Sequence, residues 1–385
     1  MRSKNIIYEK FSKNKTNKNK VKKLLKSLST KKLFKTFENN YIYSFNKSEL
    51  KKYKKFDNYT IVGMGGSSLG IQAIYNFLNY KIKKKFFFKD NLNTKKISLE
   101  AKKKNLNIII SKSGNTLETI VNFNCLEKSK NNLFLCEHTN NYLRNIAYQL
   151  KSKIIEHKNY IGGRYSVLSE VGMLPSLLMG LDDKKFKNYN NLIKNRYFLD
   201  ALIDSVYSTV AFIKQKKFNS IILNYDEQSN DLFKWYQQLI AESLGKKSKG
   251  IMPIISSMPK DNHSMMQLYL EGPQNSFFTF FDVFDKNKIK SKRFILDSHK
   301  YLKNKNLNEI KAAQREATKN VFSRKKIPHR SFYLLKRSEN SIGELFTFFM
   351  LETILLGSFL NVNPFDQPSV ELIKTETKNI LKTKM

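Results

Sequence analysis

Short apolar runs rich in β-branched and aromatic residues alternate along this chain with longer stretches of helical periodicity. The short runs predict buried strands and the longer stretches predict helices, an alternation typical of parallel α/β sheets. The predicted strands are 59–64, 106–110, 133–136, 219–224 and 332–335. The main predicted helices are 116–129, 166–179, 231–244 and 369–381, with another from the glycine turn after the first strand to about residue 80. A further helix follows 332–335, and its Ser341-x-x-Glu344 pattern predicts a capping box.

A polar stretch at 182–200 interrupts the alternation of strands and helices. We therefore expect an α/β protein with two units, each a parallel sheet flanked by helices, at 57–185 and 186–365. The Lys- and Asn-rich segment 1–56 is expected to form a helical extension that packs on the surface of the body. The last segment, 366–385, is expected to form a helical tail.

Neither the most apolar segment nor the N-terminal segment has the pattern of a membrane or secreted protein. The most apolar segment, 345–360, is interrupted by polar residues such as Thr347 and Glu352, so a buried helix fits it better than a membrane span. Segment 1–56 has no apolar core followed by a small-residue cleavage site. A cytoplasmic location is therefore expected.

The net charge of +38 on 385 residues is the most unusual feature of the composition. Lys and Arg together number 70 against 32 Asp and Glu, but only nine of the basic residues are Arg. Nucleic-acid sites usually depend on Arg for bidentate contacts, whereas an excess of Lys, Asn and Ile is what AT-rich coding produces. A solvated lysine surface is favoured, and a polyanionic partner stays an alternative. In either case the positive field attracts small anions.

The cysteines and histidines argue against a metal site. Cys125 and Cys136 are the chain's two cysteines and form no CxxC pair, which excludes a disulfide scaffold and a thiolate zinc site. The five histidines form no HxxxH or HExxH pair. We expect neither a metal nor an organic cofactor.

Two loops rich in glycine and hydroxyl groups follow successive predicted strands. The first, VGMGGSSLG at 62–70, places backbone N–H groups and two serines at the start of a helix. Its G-x-G-x-x-S spacing departs from the dinucleotide pattern, and the acidic residue expected on the next strand is absent. The second, SKSGNT at 111–116, adds a lysine. Because ligands bind at the carboxyl ends of parallel strands, the two loops predict one site for a phosphate monoester.

These loops resemble those of sugar-isomerase domains, and four later segments narrow the resemblance to the glucose-6-phosphate isomerase family. The segments are IGGRYSVLSEVGMLP (161–175), YQQLIAESLGKKSKG (236–250), DNHSMMQLYLEGP (261–273) and NPFDQPSVELIK (363–374). They occur in the family's order over residues 59–378. The resemblance implies reversible aldose–ketose isomerisation of glucose-6-phosphate and fructose-6-phosphate through an enediolate.

The resemblance also implies roles for individual residues. Glu242 matches the base that moves a proton between C2 and C1, Gln238 matches a substrate-orienting glutamine one turn earlier, and Arg164 matches the cation that stabilises the enediolate. Gln367 is expected to contact substrate. The residues that match the family's phosphate site are Gly66, Ser67, Ser111, Lys112, Ser113 and Thr116.

Two further residues imply a second subunit and a ring-opening step. His263 matches a histidine that opens the sugar ring and reaches the site from the neighbouring subunit, which implies a homodimer. Lys374 matches a lysine that assists ring opening.

Three positions depart from the family's pattern: Asn115 replaces a usual Thr, Leu244 a common polar residue and Ser369 a usual Gly. An isomerase that also accepts mannose-6-phosphate is one alternative. A sugar-phosphate sensor without activity is another, although such a sensor would be expected to lose Glu242, Arg164 or His263. Nucleic-acid binding is a third, based on charge alone.

Overall fold

The computed structural model describes residues 2–11, 17–93, 104–126, 131–284, 289–290 and 294–383. The strands are β1 Ile6–Glu9, β2 Asn58–Val62, β3 Lys85–Lys89, β4 Asn105–Ile110, β5 Asn132–Cys136, β6 Lys153–Glu156, β7 Asn219–Asn224, β8 Met252–Ser257, β9 Ser276–Val283 and β10 His329–Leu334. The helices are α1 Lys18–Leu28, α2 Leu69–Phe77, α3 Leu117–Asn124, α4 Tyr142–Gln149, α5 Glu170–Leu178, α6 Tyr189–Leu192, α7 Arg196–Lys214, α8 Asn230–Leu244, α9 Met266–Glu271, α10 Leu307–Arg324, α11 Glu339–Leu360 and α12 Val370–Thr383.

The first sheet is fully parallel and has the strand order β3-β2-β4-β5-β6. Its central strands β2 and β5 are buried along their whole length. The five predicted strands of the chain are all present, within three residues of their predicted ends. The pattern did not predict β3 or β6, which are the two edge strands of this sheet and are only partly buried.

The second sheet has the order β1-β10-β9-β7-β8 and is parallel except at β1, which pairs antiparallel with β10. The sequence predicted a helical N-terminal segment. The segment holds α1 but also supplies an edge strand, so it is not wholly helical. Ile6 and Tyr8 of that strand are completely buried, and Tyr8 donates a hydrogen bond to Glu344 at 2.7 Å. Burial of this alternate-residue face fixes the segment to the second sheet.

Helix α11 is the core helix of the second unit and confirms the buried helix predicted over 345–360. Among the described residues it is the one helix long and apolar enough to cross a membrane, and 89% of its most apolar stretch is buried within the protein. The predicted capping box was wrong. Ser338 caps the helix by accepting from the Ser341 amide at 3.2 Å, while the Glu344 carboxylate accepts from Tyr8 and Asn5 instead.

Other predicted helices differ mainly in their ends. Helix α3 begins and ends inside the predicted 116–129, of which 127–129 lie outside the described residues. The predicted 166–179 helix divides into a 3₁₀ turn, Gly163–Leu168, followed by α5. Helices α8 and α12 confirm the predictions for 231–244 and 369–381.

Helices α2 and α8 join the two sheets. Asn76 near the end of α2 donates to Asp231 near the start of α8, while the glycine loop before α2 lies against Gln238, two turns further along α8. The two helices therefore run antiparallel. This pairing brings the first phosphate loop to the half of α8 that carries Glu242.

Candidate active site

The two predicted phosphate loops begin side by side at one edge of the first sheet. Strands β2 and β4 are parallel neighbours, with Val62 paired with Ile109, so the loops that follow them leave the same carboxyl end. The first loop forms a short 3₁₀ turn at Gly65–Ser67, and the second runs from Ser111 to the start of α3. The structure therefore starts both loops that the sequence assigned to phosphate at the same edge of the sheet.

The first loop depends on glycine at two positions. Gly65 has φ +53°, and a Cβ there would lie 2.6 Å from the side-chain nitrogen of Gln238. A Cβ on Gly66 would overlap the backbone of Gly163 and lie 2.6 Å from the amide nitrogen of Arg164. Two main-chain segments can approach this closely only without a side chain between them. The loop is thereby held against the turn that carries Arg164.

The second loop presents hydroxyls and one cation. The hydroxyls of Ser111 and Thr116 lie 2.8 Å apart, and Ser111 is buried. The Lys112 ammonium lies 3.5 Å from the Glu137 carboxylate, and about a third of its side chain (36%) is exposed. Asn115, which departs from the family's pattern, accepts from the Tyr142 amide at 3.0 Å at the first residue of α4. The shorter threonine side chain would not reach the Tyr142 amide in the same way. Asn115 therefore joins the second loop to the start of α4.

Helix α8 places Gln238 and Glu242 on one face, four residues apart. The Gln238 amide nitrogen donates to the Glu242 carboxylate at 2.9 Å, and the Glu242 side chain is 26% exposed. The opposite face, which includes Tyr236 and Ile240, is buried. Leu244, the second departure, is also completely buried, so this side chain belongs to the core and not to the site. The Gln238 side-chain oxygen is buried without a hydrogen-bond partner among the described residues.

Arg164 lies at the centre of the cluster and is 2% exposed. A guanidinium has five N–H donors, and here each of them has an acceptor. Nη1 donates to the carboxylate that the sequence assigned as the base and to a glutamine. The acceptors are Ser243 Oγ for Nε at 2.8 Å, Glu242 Oε2 at 3.2 Å and Gln367 Oε1 at 2.6 Å for Nη1, and the carbonyls of Pro364 at 2.7 Å and Asp366 at 2.8 Å for Nη2.

The segment that carries Gln367 is held from a second side by Lys246. The Lys246 ammonium donates to the carbonyls of Asn363 at 2.5 Å and Asp366 at 2.6 Å, and it lies 2.7 Å from the Asp366 carboxylate. This hydrogen-bonded ammonium lowers the pKa of Asp366. Arg164 and Lys246 together fix the tail across the site and so place Gln367.

The structure does not bring His263 or Lys374 into this cluster. His263 ends the 3₁₀ turn Lys260–His263 after β8 and is exposed. Lys374 lies on α12, which has no buried residue, and pairs with Glu371 at 2.6 Å. Ser369, the third departure, is exposed just before that helix. Across the described ranges no three His, Cys, Asp or Glu side chains lie close enough to hold a metal ion.

Reasoning from the sequence missed three residues that hold the cluster together. They are Tyr165, Ser243 and Lys246, each beside or close to a residue that was assigned. All three lie within the segments 161–175 and 236–250, which resemble the family, so these motifs could have pointed to them. Their contacts, however, join positions about 80 to 200 residues apart, which the sequence does not reveal.

Comparisons with known proteins find relatives over most of the chain. The family model described as phosphoglucose isomerase matches residues 12–385. A glucose-6-phosphate isomerase of Methanocaldococcus jannaschii is 32% identical over 358 residues, and one of Campylobacter jejuni is 32% identical over 359 residues; each match covers 86% of both chains.

Two solved structures share the fold. A hypothetical protein of Thermus thermophilus aligns with a TM-score of 0.82 at 23% identity over 94% of each chain. A glucose-6-phosphate isomerase of Chlamydia trachomatis aligns with a TM-score of 0.66 at 18% identity over 88% of this chain and 73% of that one. With a family match over nearly the whole chain and relatives at 32% identity, this chain belongs to the phosphoglucose isomerase family.

Proposed function

We propose that this chain interconverts glucose-6-phosphate and fructose-6-phosphate, with Glu242 as the base that transfers the proton between C2 and C1. The observation that carries this assignment is the placement of Glu242 between Gln238 and Arg164, with the first hydroxyl-bearing loop lying against Gln238 and Arg164. A carboxylate that is held by two donors and stays partly exposed has the position and access that proton transfer to and from carbon requires.

One carboxylate suffices for the chemistry. Glu242 takes the proton from C2 of the open-chain aldose, and the electron pair moves through C1 to O1 to form an enediolate. The same group returns the proton to C1 while the proton on O2 passes to O1, which leaves the ketone at C2. Arg164 faces the oxygen on which negative charge develops. Because all five donors of this guanidinium are committed, an Nη1 hydrogen bond has to pass from Gln367 or Glu242 to the substrate oxygen.

The phosphate is assigned to the two loops. Ser67, Ser111, Ser113 and Thr116 supply hydroxyls, Gly66 supplies a backbone amide, and Lys112 supplies the charge. The exposed Lys112 ammonium, with its 3.5 Å partner Glu137, is free to reorient toward an anion. The phosphate then fixes one end of the sugar while Glu242 acts at the other.

The first test replaces the proposed base. Glu242→Gln keeps the shape of the side chain but removes the base, so kcat for fructose-6-phosphate is expected to fall by roughly 10²- to 10⁴-fold. Conversion to glucose-6-phosphate is followed with a coupled dehydrogenase, and fructose-6-phosphate binding is measured by calorimetry. Glu227→Gln, at an exposed carboxylate before α8, serves as the control. Near-normal turnover in Glu242→Gln would overturn the assignment.

We further propose a homodimer in which His263 opens the sugar ring in the partner's site, with Lys374 assisting in the same step. His263 is exposed, and among the described residues it forms no hydrogen bond with the cluster around Arg164. Both observations support a role in the partner's site. The predicted cytoplasmic location and the predicted unit boundaries stay predictions, as does activity on mannose-6-phosphate.

The dimer proposal is tested by mixing two defective variants. In a heterodimer of Glu242→Gln with His263→Ala, one site receives both defects and the other receives none. A 1:1 mixture that exchanges subunits at random should therefore regain about a quarter of the wild-type activity. If His263 acted in its own subunit, every site would keep one defect, and the mixture would be no more active than its components.

A further inference from the structure

A closed, buried ring of hydrogen bonds involves Nε and Nη2 of the Arg164 guanidinium, the two nitrogens that do not contact Glu242. Arg164 Nε donates to Ser243 Oγ at 2.8 Å, and Ser243 Oγ lies 2.9 Å from the Tyr165 hydroxyl. The Tyr165 hydroxyl donates to the Pro364 carbonyl at 3.1 Å, and Arg164 Nη2 donates to the same carbonyl at 2.7 Å. Arg164, Tyr165 and Ser243 are each at most 2% exposed.

The donor and acceptor inventory fixes the direction of every bond in this ring. A guanidinium can only donate, so Ser243 Oγ accepts from Nε. The single Tyr165 proton goes to the Pro364 carbonyl, which cannot donate, so the Ser243 hydroxyl donates to the Tyr165 oxygen. Burial raises the pKa of Tyr165, which keeps this proton on the phenol at neutral pH.

The ring holds Nε and one side of Nη2 and leaves Nη1 directed at Glu242 and Gln367. An arginine side chain has four rotatable bonds, so its guanidinium keeps one orientation only where several acceptors hold it. Glu242 and Gln367 both bind Nη1 and leave Nε and Nη2 unconstrained. Ser243 and the Pro364 carbonyl bind two different nitrogens of the guanidinium, Nε and Nη2, and two such contacts restrict its rotation.

We propose that Ser243 and Tyr165 are positioning residues, which hold Arg164 so that Nη1 meets the oxygen where charge develops during isomerisation. This inference rests on the proposed role of Arg164, and neither residue is expected to touch the substrate. Ser243 is the more important of the two, because within the described residues no other acceptor binds Nε. Removal of the Tyr165 hydroxyl is expected to have a smaller effect, because the Pro364 carbonyl still accepts from Arg164 Nη2.

The test compares Ser243→Ala and Tyr165→Phe with matched changes elsewhere. Ser243→Ala is expected to lower kcat by roughly 10- to 100-fold and Tyr165→Phe by roughly 3- to 10-fold, since a misplacement near 1 Å has effects of this size. KM for fructose-6-phosphate should stay within about 3-fold, because the phosphate contacts are unchanged. The controls are Ser176→Ala and Tyr59→Phe, two buried hydroxyls that donate to main-chain carbonyls away from the site and should leave kcat unchanged.

A double-mutant cycle distinguishes positioning from a general loss of stability. In an Arg164→Met background, Ser243→Ala should change kcat by less than about 2-fold, because its effect passes through the arginine. An equal loss in both backgrounds, or wild-type kcat in both single variants, would overturn the inference. If Arg164→Met itself kept wild-type kcat, the proposed role of Arg164 would fail instead. Tyr165→Phe removes a single oxygen and keeps the test available if Ser243→Ala does not fold.

Discussion

Three lysines of this chain show how strongly position decides what one residue type does. The Lys112 ammonium is partly exposed on a phosphate loop, and Lys246 is 12% exposed and holds the tail through carbonyls and a carboxylate. Lys187 is 3% exposed, and its ammonium lies 4.6 Å and 4.3 Å from the ring centres of Tyr41 and Tyr43. Only the first has the access and the spare donors that a ligand needs.

Lys112→Met should weaken phosphate binding with little effect on proton transfer. The loss of a charge-assisted contact, about 1.5–3 kcal/mol, corresponds to a KM for fructose-6-phosphate raised by roughly 10- to 100-fold at nearly constant kcat. Steady-state kinetics measures both constants. Lys153→Met is the control, because Lys153 pairs with Glu49 at the opposite end of the same sheet. An unchanged KM in Lys112→Met would contradict the phosphate assignment.

At the scale of elements, the site depends on how two turns and one helix meet. The Gly65–Ser67 turn contacts the Gly163–Leu168 turn at main-chain distance, and both lie beside α8. Gly66 is the point of closest approach. This contact places the amide groups assigned to phosphate next to the arginine assigned to the enediolate, so a change here should affect both functions together.

Gly66→Ala is expected to separate the two turns, because its Cβ would overlap the Gly163 backbone. Main chain cannot give way as a flexible side chain can, so the free energy of unfolding should fall by roughly 1–3 kcal/mol, and kcat/KM should fall with it. Gly162→Ala is the matched control, since its Cβ would meet only Tyr165 at an ordinary 3.5 Å. Urea unfolding and kinetics of both variants check this, and equal stability of the two would contradict it.

At the scale of the whole molecule, the N-terminal segment is joined to the first unit through a buried cluster of ionisable groups. Tyr41 donates to Glu170 at 2.9 Å, and Tyr43 donates to Asp183 at 2.7 Å. Lys187 lies among these groups and has no hydrogen-bond partner for its ammonium among the described residues. Burial lowers the pKa of Lys187 to about 7, with Asp183 and Glu170 opposing the shift and Lys47 and Lys158 adding to it.

This lysine predicts a specific dependence of stability on pH. Its pKa is about 7 when folded against an ordinary 10.5, so between these values the unfolded chain binds more protons. The free energy of unfolding therefore rises with pH above 7, by up to about 1.4 kcal/mol per pH unit from this group. Urea unfolding at pH 7, 8 and 9 should show a steeper rise in the wild type than in Lys187→Met.

The control for this experiment is Lys185→Met, because Lys185 is a mostly exposed neighbour that pairs with Asp182 at 3.7 Å. It should keep the wild-type slope. A wild-type slope in Lys187→Met would show that the ammonium of Lys187 is solvated.

The sequence by itself determined five of the ten strands in the described part of the chain, the buried character of α11 and the glycine- and hydroxyl-rich turns that follow β2 and β4. These features depend on local patterns: apolar runs bounded by polar turns, and glycines placed directly after strands. Two of its errors arise from contacts between residues far apart in the chain. The strand at Ile6–Glu9 forms because β10 offers an open edge, and Ser338 rather than Ser341 caps α11 because Glu344 is occupied by Tyr8.

Only the tertiary structure decided how the assigned residues relate to one another. Glu242 and Arg164 are 78 residues apart, and Arg164 and Gln367 are 203 apart, yet one guanidinium contacts both. The antiparallel packing of α2 on α8 creates this site, and so does the tail that Arg164 and Lys246 fix across it. Hydrogen bonds of this kind depend on distance in space, which the pattern of residues along the chain does not specify.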